Sequence, residues 1–412
     1  MELATFKDLL SPSGQAALQA AVSLEPREAN FLGHFQVLSR SYPADLARAA
    51  LEIAILRGEA ARKFPFADRL YFTREALEQA SSFEVSAYRA ERFHTFPYLA
   101  DLGCSAGGDT LALAAIAPTL GIDLDPLRLA MAQANVQALG LAERARCLRA
   151  DLTQPLPLQR QPGLAWFFDP ARRTAGRRVF SVREYLPPLR LVSDWLAHYP
   201  AIGVKISPGV NLAELDVYDA EVEFISLRGE LKEAVLWFGP LKTARKRATI
   251  LPGPHSMDVP AVKPLAEPKS VGLAVELPDQ PVERTSEPLA FLYEPDPSIL
   301  RAGLVATLGE QLDALQFDLD IAYLTSGKLI HTPFARAWAV EDWFPFGLKR
   351  LRAYLRQRGV GQVVVKKRGS PLQPETLIHD LRLKGDQERV VFLTHLRGRP
   401  IVIVCFPTLG SN

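Results

Sequence analysis

Cysteine is scarce in this 412-residue chain: there are three, Cys104, Cys147 and Cys405, standing far apart. That spacing excludes a disulfide framework and any Cys-x-x-Cys metal or redox site, so a cytoplasmic protein without a structural metal is expected. Histidine gives no metal either, since the seven present are scattered without ligand spacing. No apolar run approaches the roughly 20 residues that span a bilayer. The N-terminus lacks the basic-then-apolar pattern of a signal peptide, and no repeat or low-complexity tract appears. Charge is nearly balanced at a net +2, so any nucleic-acid surface has to be a local patch. What is present is an ordinary globular balance, 48% hydrophobic and 23% charged. The length suits two or three domains and a sizeable core without covalent staples.

The most informative stretch is Asp101-Leu102-Gly103-Cys104-Ser105-Ala106-Gly107-Gly108-Asp109-Thr110. An apolar run at 96–100 precedes it, and an Ala/Leu-rich helical run at 111–117 follows. Strand, glycine-rich turn and helix in that order open a dinucleotide-type α/β unit. Small residues at Gly103, Ser105, Ala106 and Gly107 let the backbone turn tightly and approach a ligand. Asp101, ending the strand, can hold a cationic or amine-bearing ligand. Three more short strands end in acids: 120–122 at Asp123, 145–150 at Asp151, and 164–168 at Asp169-Pro170. Four carboxylates at the carboxyl ends of parallel strands mark the ligand-binding edge of an open sheet. Asp125-Pro126 starts the helix after the second strand, Asp125 as its cap.

Taken in order, residues 1–95 read as a helical N-terminal domain, with a long helix at 46–63 and Thr73 capping another. The sheet domain covers 96–250. It contains a basic loop at 172–178, a helix at 188–199, a strand at 202–206, and a hairpin in which 220–226 and 233–238 flank Arg228-Gly229-Glu230. Prolines recur through 251–288, a connecting segment in which 271–275 can pair as a strand. Residues 289–412 read as a separate α/β unit. One helix is expected at 298–315 and another around 351–355, with strands at 363–366, 389–394 and 400–405.

The series Asp-x-Gly-x-x-x-Gly-Gly-Asp-Thr, Gly-Ile-Asp-Leu-Asp-Pro, Ala-x-x-Asn, Ala-Asp and Phe-Asp-Pro resembles the class I S-adenosylmethionine (SAM)-dependent methyltransferases. It is most similar to the branch with trimethylguanosine synthase and bacterial nucleic-acid methyltransferases. Thr73-Arg74-Glu75-Ala76-Leu77-Glu78-Gln79-Ala80, Tyr293-Glu294-Pro295-Asp296-Pro297 and Val365-Lys366-Lys367-Arg368-Gly369 extend the resemblance to a bacterial family with a C-terminal THUMP-like domain. The resemblance implies a Rossmann-like α/β catalytic sheet, a helical N-terminal domain, an α/β THUMP-like domain, and SAM as cofactor. Asp101, Gly103, Ser105 and Gly107 would then border the amino-acid tail, with Ser105 in place of the usual second glycine. Asp123 would accept from the ribose hydroxyls. Asp151 would accept from the adenine amino group, with Leu152 following, unless Asp151 caps the next turn. In this family the segment 85–93 lies over the SAM site, bringing Tyr88, Arg89 and Arg92 toward ligand or RNA unless they are surface residues of an ordinary helix.

Asp169-Pro170-Ala171-Arg172 stands at the catalytic-loop position, giving Asp169, Pro170 and Arg172 as catalytic candidates. In amino-group methyltransferases that loop is an acid or amide, two prolines and an aromatic that stacks on the flipped base. Here Ala171 and Arg172 replace the second proline and the ring; an arginine plane can stack on a base or grip a phosphate. Methyl transfer needs positioning more than acid–base work, so the lack of a His or Cys constellation is no objection. Substrate-binding candidates are Arg173, Arg177, Lys205, Lys366, Lys367 and Arg368. Lys349, Arg350, Arg352, Arg356 and Arg358 lie on one C-terminal helix, and beyond residue 341 bases outnumber acids by roughly two to one. The expected substrate is structured RNA, tRNA or rRNA. The alternatives are a protein or small-molecule acceptor, or a protein that binds SAM or RNA without transfer.

Overall fold

The computed structural model describes residues 1–156, 158, 161–171, 173–174, 177–178, 180–252, 271–275, 286–318 and 320–407. They form two compact units. The first takes in Met1–Glu223 and Lys232–Thr243; the second takes in Phe224–Leu231, Ala244–Ile250 and the described chain from Val271 onward.

The first unit starts with helices α1 (Leu3–Leu9), α2 (Pro12–Ser23), α3 (Phe31–Leu38), α4 (Ala44–Ala60), α5 (Arg74–Gln79) and α6 (Phe83–Glu91). Local chemistry sets their starts: Ser11 Oγ accepts from Gly14 N at 3.2 Å before α2, and Thr73 Oγ1 accepts from Ala76 N at 3.1 Å before α5. The expected helix at 46–63 is α4, which stops at Ala60 so that Lys63 can turn back. Its ammonium donates to the carbonyls of Leu77, Glu78 and Ala80 at the end of α5, where a cation is favoured.

Then the α/β alternation begins: β1 (Tyr98–Leu102), α7 (Gly108–Ile116), β2 (Thr119–Asp123), α8 (Pro126–Ala138), β3 (Ala145–Arg149) and β4 (Leu164–Phe168). Two-residue strands β5 (Arg173–Thr174) and β6 (Arg177–Arg178) follow, then α9 (Leu191–Leu196), β7 (Ile202–Ile206), β8 (Glu221–Leu227) and β9 (Glu230–Trp237). Within this unit the lateral order is β9-β7-β4-β1-β2-β3. Pairs β7–β4, β4–β1, β1–β2 and β2–β3 are parallel, and β9 runs antiparallel to β7. The turn before β9 uses Arg228 at φ 57° and Gly229 at φ 76°, the two positive angles that a tight hairpin requires. The helix expected at 188–199 is shorter. Its rings hold it to β4: Trp166 stacks on Tyr199 at 3.9 Å and meets Trp195 edge-on at 5.5 Å, and Phe168 lies 5.1 Å from Trp195. Truncating such a buried ring costs about 3–5 kcal/mol.

In the second unit, β10 (Lys246–Leu251) pairs antiparallel with β11 (Val271–Val275). Then come β12 (Phe291–Pro295), α10 (Pro297–Ala302), α11 (Val305–Gln311), β13 (Leu315–Asp318), β14 (Ile321–Ser326), β15 (Ala335–Pro345), α12 (Leu348–Gln357), β16 (Val360–Lys367), α13 (Pro374–Leu381), β17 (Gln387–Leu396) and β18 (Arg399–Cys405). Their sheet order is β13-β14-β12-β15-β18-β17-β16. The single helix expected at 298–315 is two. Gly303 adopts a left-handed φ of 72° and ends α10, whose other end is capped by Asp296 beside Pro297. One apolar cluster gathers Trp338, Phe392, Ile403 and Tyr323; another gathers Leu351, Leu355, Leu377, Leu381 and Val391, seating α12 and α13. No described helix is long and apolar enough to cross a membrane.

Candidate active site

The glycine-rich loop between β1 and α7 bends where φ turns positive: 81° at Gly103, 49° at Ser105 and 85° at Gly107. At Gly103 the requirement is doubled, because a Cβ would come within 2.7 Å of the Asp169 carbonyl oxygen. The loop and the chain leaving β4 are therefore in direct contact. Ser105 takes a left-handed conformation that most side chains avoid, held by its N–H donating to Asp123 Oδ2 at 2.8 Å. Asn135, fully buried on α8, ties the loop from behind. Its Nδ2 donates to the carbonyls of Ala106 and Tyr71, and its Oδ1 accepts from Tyr71 N.

Beneath the loop lies a buried ionic cluster. Arg89 of α6 is 2% exposed, pairs with Asp109 of α7 and with Glu233 of β9, and lies 4.6 Å over the Phe167 ring. Lys205 of β7, equally buried, donates to Asp169 Oδ2 at 2.7 Å. Burial would lower the Arg89 guanidinium, but Asp109, Glu233, Asp169 and Asp101 outweigh it and hold the group charged. Burial pushes Asp109 upward too, and there Arg89 and Lys205 win, so the net direction is down. Asp101 goes the other way. Burial, then the charges of Asp109 and Asp169, raise its carboxyl well above the usual range, against the hydroxyl of Thr110 that donates to Oδ2 at 2.5 Å. Its Oδ1 is buried without a hydrogen-bond partner. Lys63 is near enough to feel the charge of Lys205; burial lowers its ammonium to about 8, and three carbonyls accept from it. The cluster is short of positive charge at Asp101, which fits a ligand that brings a cation.

The other strand-ending acids stand at the same carboxyl edge. Asp123 accepts from the backbone N–H of Ser105 and of Asp125, and Asp125 caps α8 through Leu127 N and Arg128 N. Asp151 accepts from Thr153 N at 2.9 Å and Thr153 Oγ1 at 2.7 Å, which lowers its carboxyl below the usual range. It thus caps the turn whose buried neighbour is Leu152. Pro170 is buried next to Asp169. Arg172 lies outside the described residues, as do the side chains of Arg173 and Arg177, whose backbones pair in β5 and β6.

Residues 335–407 match the family described as THUMP domain-like, and residues 2–60 match one described as a domain of unknown function. A candidate methyltransferase from Porphyromonas gingivalis W83, solved by crystallography, superposes over 93% of this chain and 100% of its own with a TM-score of 0.73 at 20% identity, a likeness of fold. Two Mycobacterium tuberculosis proteins, from strains CDC 1551 and H37Rv, are both named uncharacterized S-adenosylmethionine-dependent methyltransferases. Each is 32% identical over 331 residues, 79% of this chain and 84% of the relative. The chain belongs to the SAM-dependent methyltransferases. It is a class I enzyme with a THUMP-like C-terminal domain, and its cofactor is SAM.

In the methyltransferase, the bases expected at a substrate are largely engaged by the protein itself. Lys205 lies in the interior, so it reaches a substrate only through Asp169. Lys366 pairs with Glu294 and lies 4.9 Å over Trp338, and Arg368 lies 5.0 Å over Tyr323. Lys367 is exposed, bonded to Gln373. On α12, Arg352 and Arg356 donate to the carbonyls of Asp380 and Arg382, fastening the end of α13. Arg89 and Arg92 are not surface residues of an ordinary helix; Arg92 pairs with the buried Glu221 and Glu223. A lone lysine inside the apolar strand Ile202-Gly203-Val204-Lys205-Ile206 was a readable sign of a buried partner. Leu124, 57% exposed, stands inside the Gly-Ile-Asp-Leu-Asp-Pro series, but nothing in the sequence gave it a role of its own.

A cavity of about 1730 Å³ opens among the N-terminal helices, lined by Gln15, Arg57, Lys63, Phe64 and Arg74 among others. Three of its cations already have partners: Arg57 donates to Leu70 O, Lys63 to three carbonyls, and Arg74 pairs with Glu59 and Glu28. The strand edge, with its unpartnered Asp101 oxygen, is the better site. No group of three or more His, Cys, Asp or Glu placed to hold a metal occurs among the described residues.

Proposed function

We propose that this methyltransferase modifies structured RNA, tRNA or rRNA, in the cytoplasm. The THUMP domain-like match carries the reading. Exposed bases within it, among them Lys349, Arg350, Lys384, Arg397 and Arg399, supply charge suited to phosphates. Three free cysteines suit a reducing compartment.

Asp101, with Oδ1 unpartnered, would hold the ammonium of the cofactor's tail, and the backbone of Gly103, Ser105 and Gly107 would lie along it. Asp123 has lone pairs left for a vicinal diol after its two backbone bonds. Asp151 would face the adenine edge, with Leu152 and Leu124 as apolar neighbours. SAM supplies a methyl group already activated by a positive sulfur. The chain's part is to bring the acceptor into line and exclude water. Asp169 is fit for that: Lys205 fixes one oxygen and orients the other for an N–H donor. A carboxylate held in place this way suits an amine acceptor that needs orientation more than deprotonation.

Purified enzyme and tritiated SAM should label RNA from a strain deleted for this gene, and should label wild-type RNA much less. Equal labelling of both, or label confined to protein or small molecules, would remove RNA as the substrate.

A further inference from the structure

Helix α6 lies along the sheet face that carries Asp101. Asp101, Phe167, Gly203 and Trp237 stand in register across β1, β4, β7 and β9, so their side-chain positions share that face. Arg89 lies 4.6 Å over the Phe167 ring, and Arg92 lies 4.9 Å over Trp237. Lys205 and Glu233 fall on the same face by alternation from Gly203 and Trp237. The Arg89 guanidinium thus stands one strand away from Asp101. It pairs with Asp109 of α7 and Glu233 of β9. Each of these acids also accepts from a serine of the same segment: Ser86 Oγ donates to Asp109 Oδ1 at 2.6 Å and Ser81 Oγ to Glu233 Oε2 at 2.7 Å. A buried ion pair adds little stability over apolar packing of the same shape, so its place next to Asp101 is the feature to explain.

The groups around Asp101 are mainly acids. Asp109 and Asp169 act on it directly, and Glu233 and the strand-ending Asp123 add to the negative charge. Thr110 is a neutral donor, and burial keeps Cys104 and Cys147 as thiols. Lys205 is committed to Asp169, and Lys63 to three carbonyls. Among the described residues, Arg89 is the cation placed to offset a charge on Asp101. We propose that Arg89 is a positioning residue for SAM: clamped between α7 and β9, it supplies the positive charge that lets Asp101 meet the cofactor's ammonium as a carboxylate. This rests on Asp101 being the residue that holds that ammonium.

The test measures SAM affinity of the full-length enzyme by calorimetry across pH, with Arg89→Met, Arg89→Lys and Glu233→Gln. Without the guanidinium Asp101 ionises at higher pH, and affinity is full above that pH and falls below it. Arg89→Met should therefore bind SAM about 10-fold or more weakly than wild type on the acid side. On the alkaline side the ratio should return to within about threefold. Arg89→Lys keeps the charge and should stay within about threefold throughout. Glu233→Gln leaves Arg89 less neutralised, so its affinity curve should move to lower pH, opposite to Arg89→Met, although both variants lose the same ion pair. A loss of equal size at every pH, or a Glu233→Gln curve that moves with Arg89→Met, would make Arg89 a packing element and overturn the proposal. Asp101→Asn binding SAM as the wild type does would instead remove the cofactor contact itself, and the proposal with it.

Discussion

Gly103→Ala tests the link between the cofactor loop and Asp169. The alanine has to hold a φ near 81°, which costs about 1–2 kcal/mol. Its Cβ also starts 2.7 Å from the Asp169 carbonyl oxygen, and ordinary contact begins at 3.4 Å, so the two backbones have to part by about 0.7 Å. That shift falls on Asp169, the residue proposed to orient the acceptor, and a misplacement of about 1 Å can cost on the order of 100-fold in rate. We expect turnover to fall by at least about 10-fold, against a Tm loss of about 2–8 °C. Gly140→Ala is the matched control. Its φ is 72°, but a Cβ there meets nothing within 4 Å, so it carries the backbone cost without the clash. Calorimetric Tm and methyl transfer to whichever acceptor the wild-type enzyme labels are the two measurements. If Gly103→Ala and Gly140→Ala lose stability alike and both keep turnover within about twofold, the coupling argument is wrong.

Further expectations concern the buried charges. Asp101→Asn removes a carboxylate that folding leaves under-compensated, so the ligand-free protein should melt higher while SAM affinity falls by about 10-fold or more; a variant with lower Tm and unchanged affinity would contradict this. In the wild type, burial and the neighbouring acids raise the pH at which Asp101 ionises in the free protein, and a bound cation favours the ionised form. SAM binding should therefore release a proton, with affinity full above the free-protein pKa and falling up to tenfold per pH unit as pH drops through it. Calorimetry in buffers of different ionisation enthalpy reads that proton directly. Asp169→Asn leaves Lys205 buried without its counter-charge, so both Tm and turnover should drop, with SAM affinity changed by no more than about threefold; intact turnover would show that the pair only supports the fold.

The parallel sheet was legible because β1, β2 and β4 are short apolar runs with an acid at their ends, and the left-handed turns at Gly103 and Gly107 because glycine stands there; the one at Ser105 was not. Lys205 apart, burial and partnership were not legible. The letters around Arg89 read as an amphipathic helix; only the fold brings Asp109 and Glu233, far apart in sequence, onto one guanidinium. The run Lys366-Lys367-Arg368 read as a phosphate grip. Folding lays its first and third members on Trp338 and Tyr323, because a long stem gains by covering an aromatic face while its head stays polar. The split helix at Gly303 was missed because an isolated glycine in a helical pattern is tolerated as often as it stops one.

The amide of Asn135 joins two stretches that lie far apart along the polypeptide. One end grips the carbonyl of Ala106, and the other satisfies both backbone groups of Tyr71. Anyone trimming this enzyme to its sheet for biophysics should therefore keep the chain ahead of Tyr98. A version starting at the first strand would leave Asn135 facing water on one side and its loop unbraced on the other, and poor SAM binding in such a fragment would reflect the cut rather than the natural enzyme.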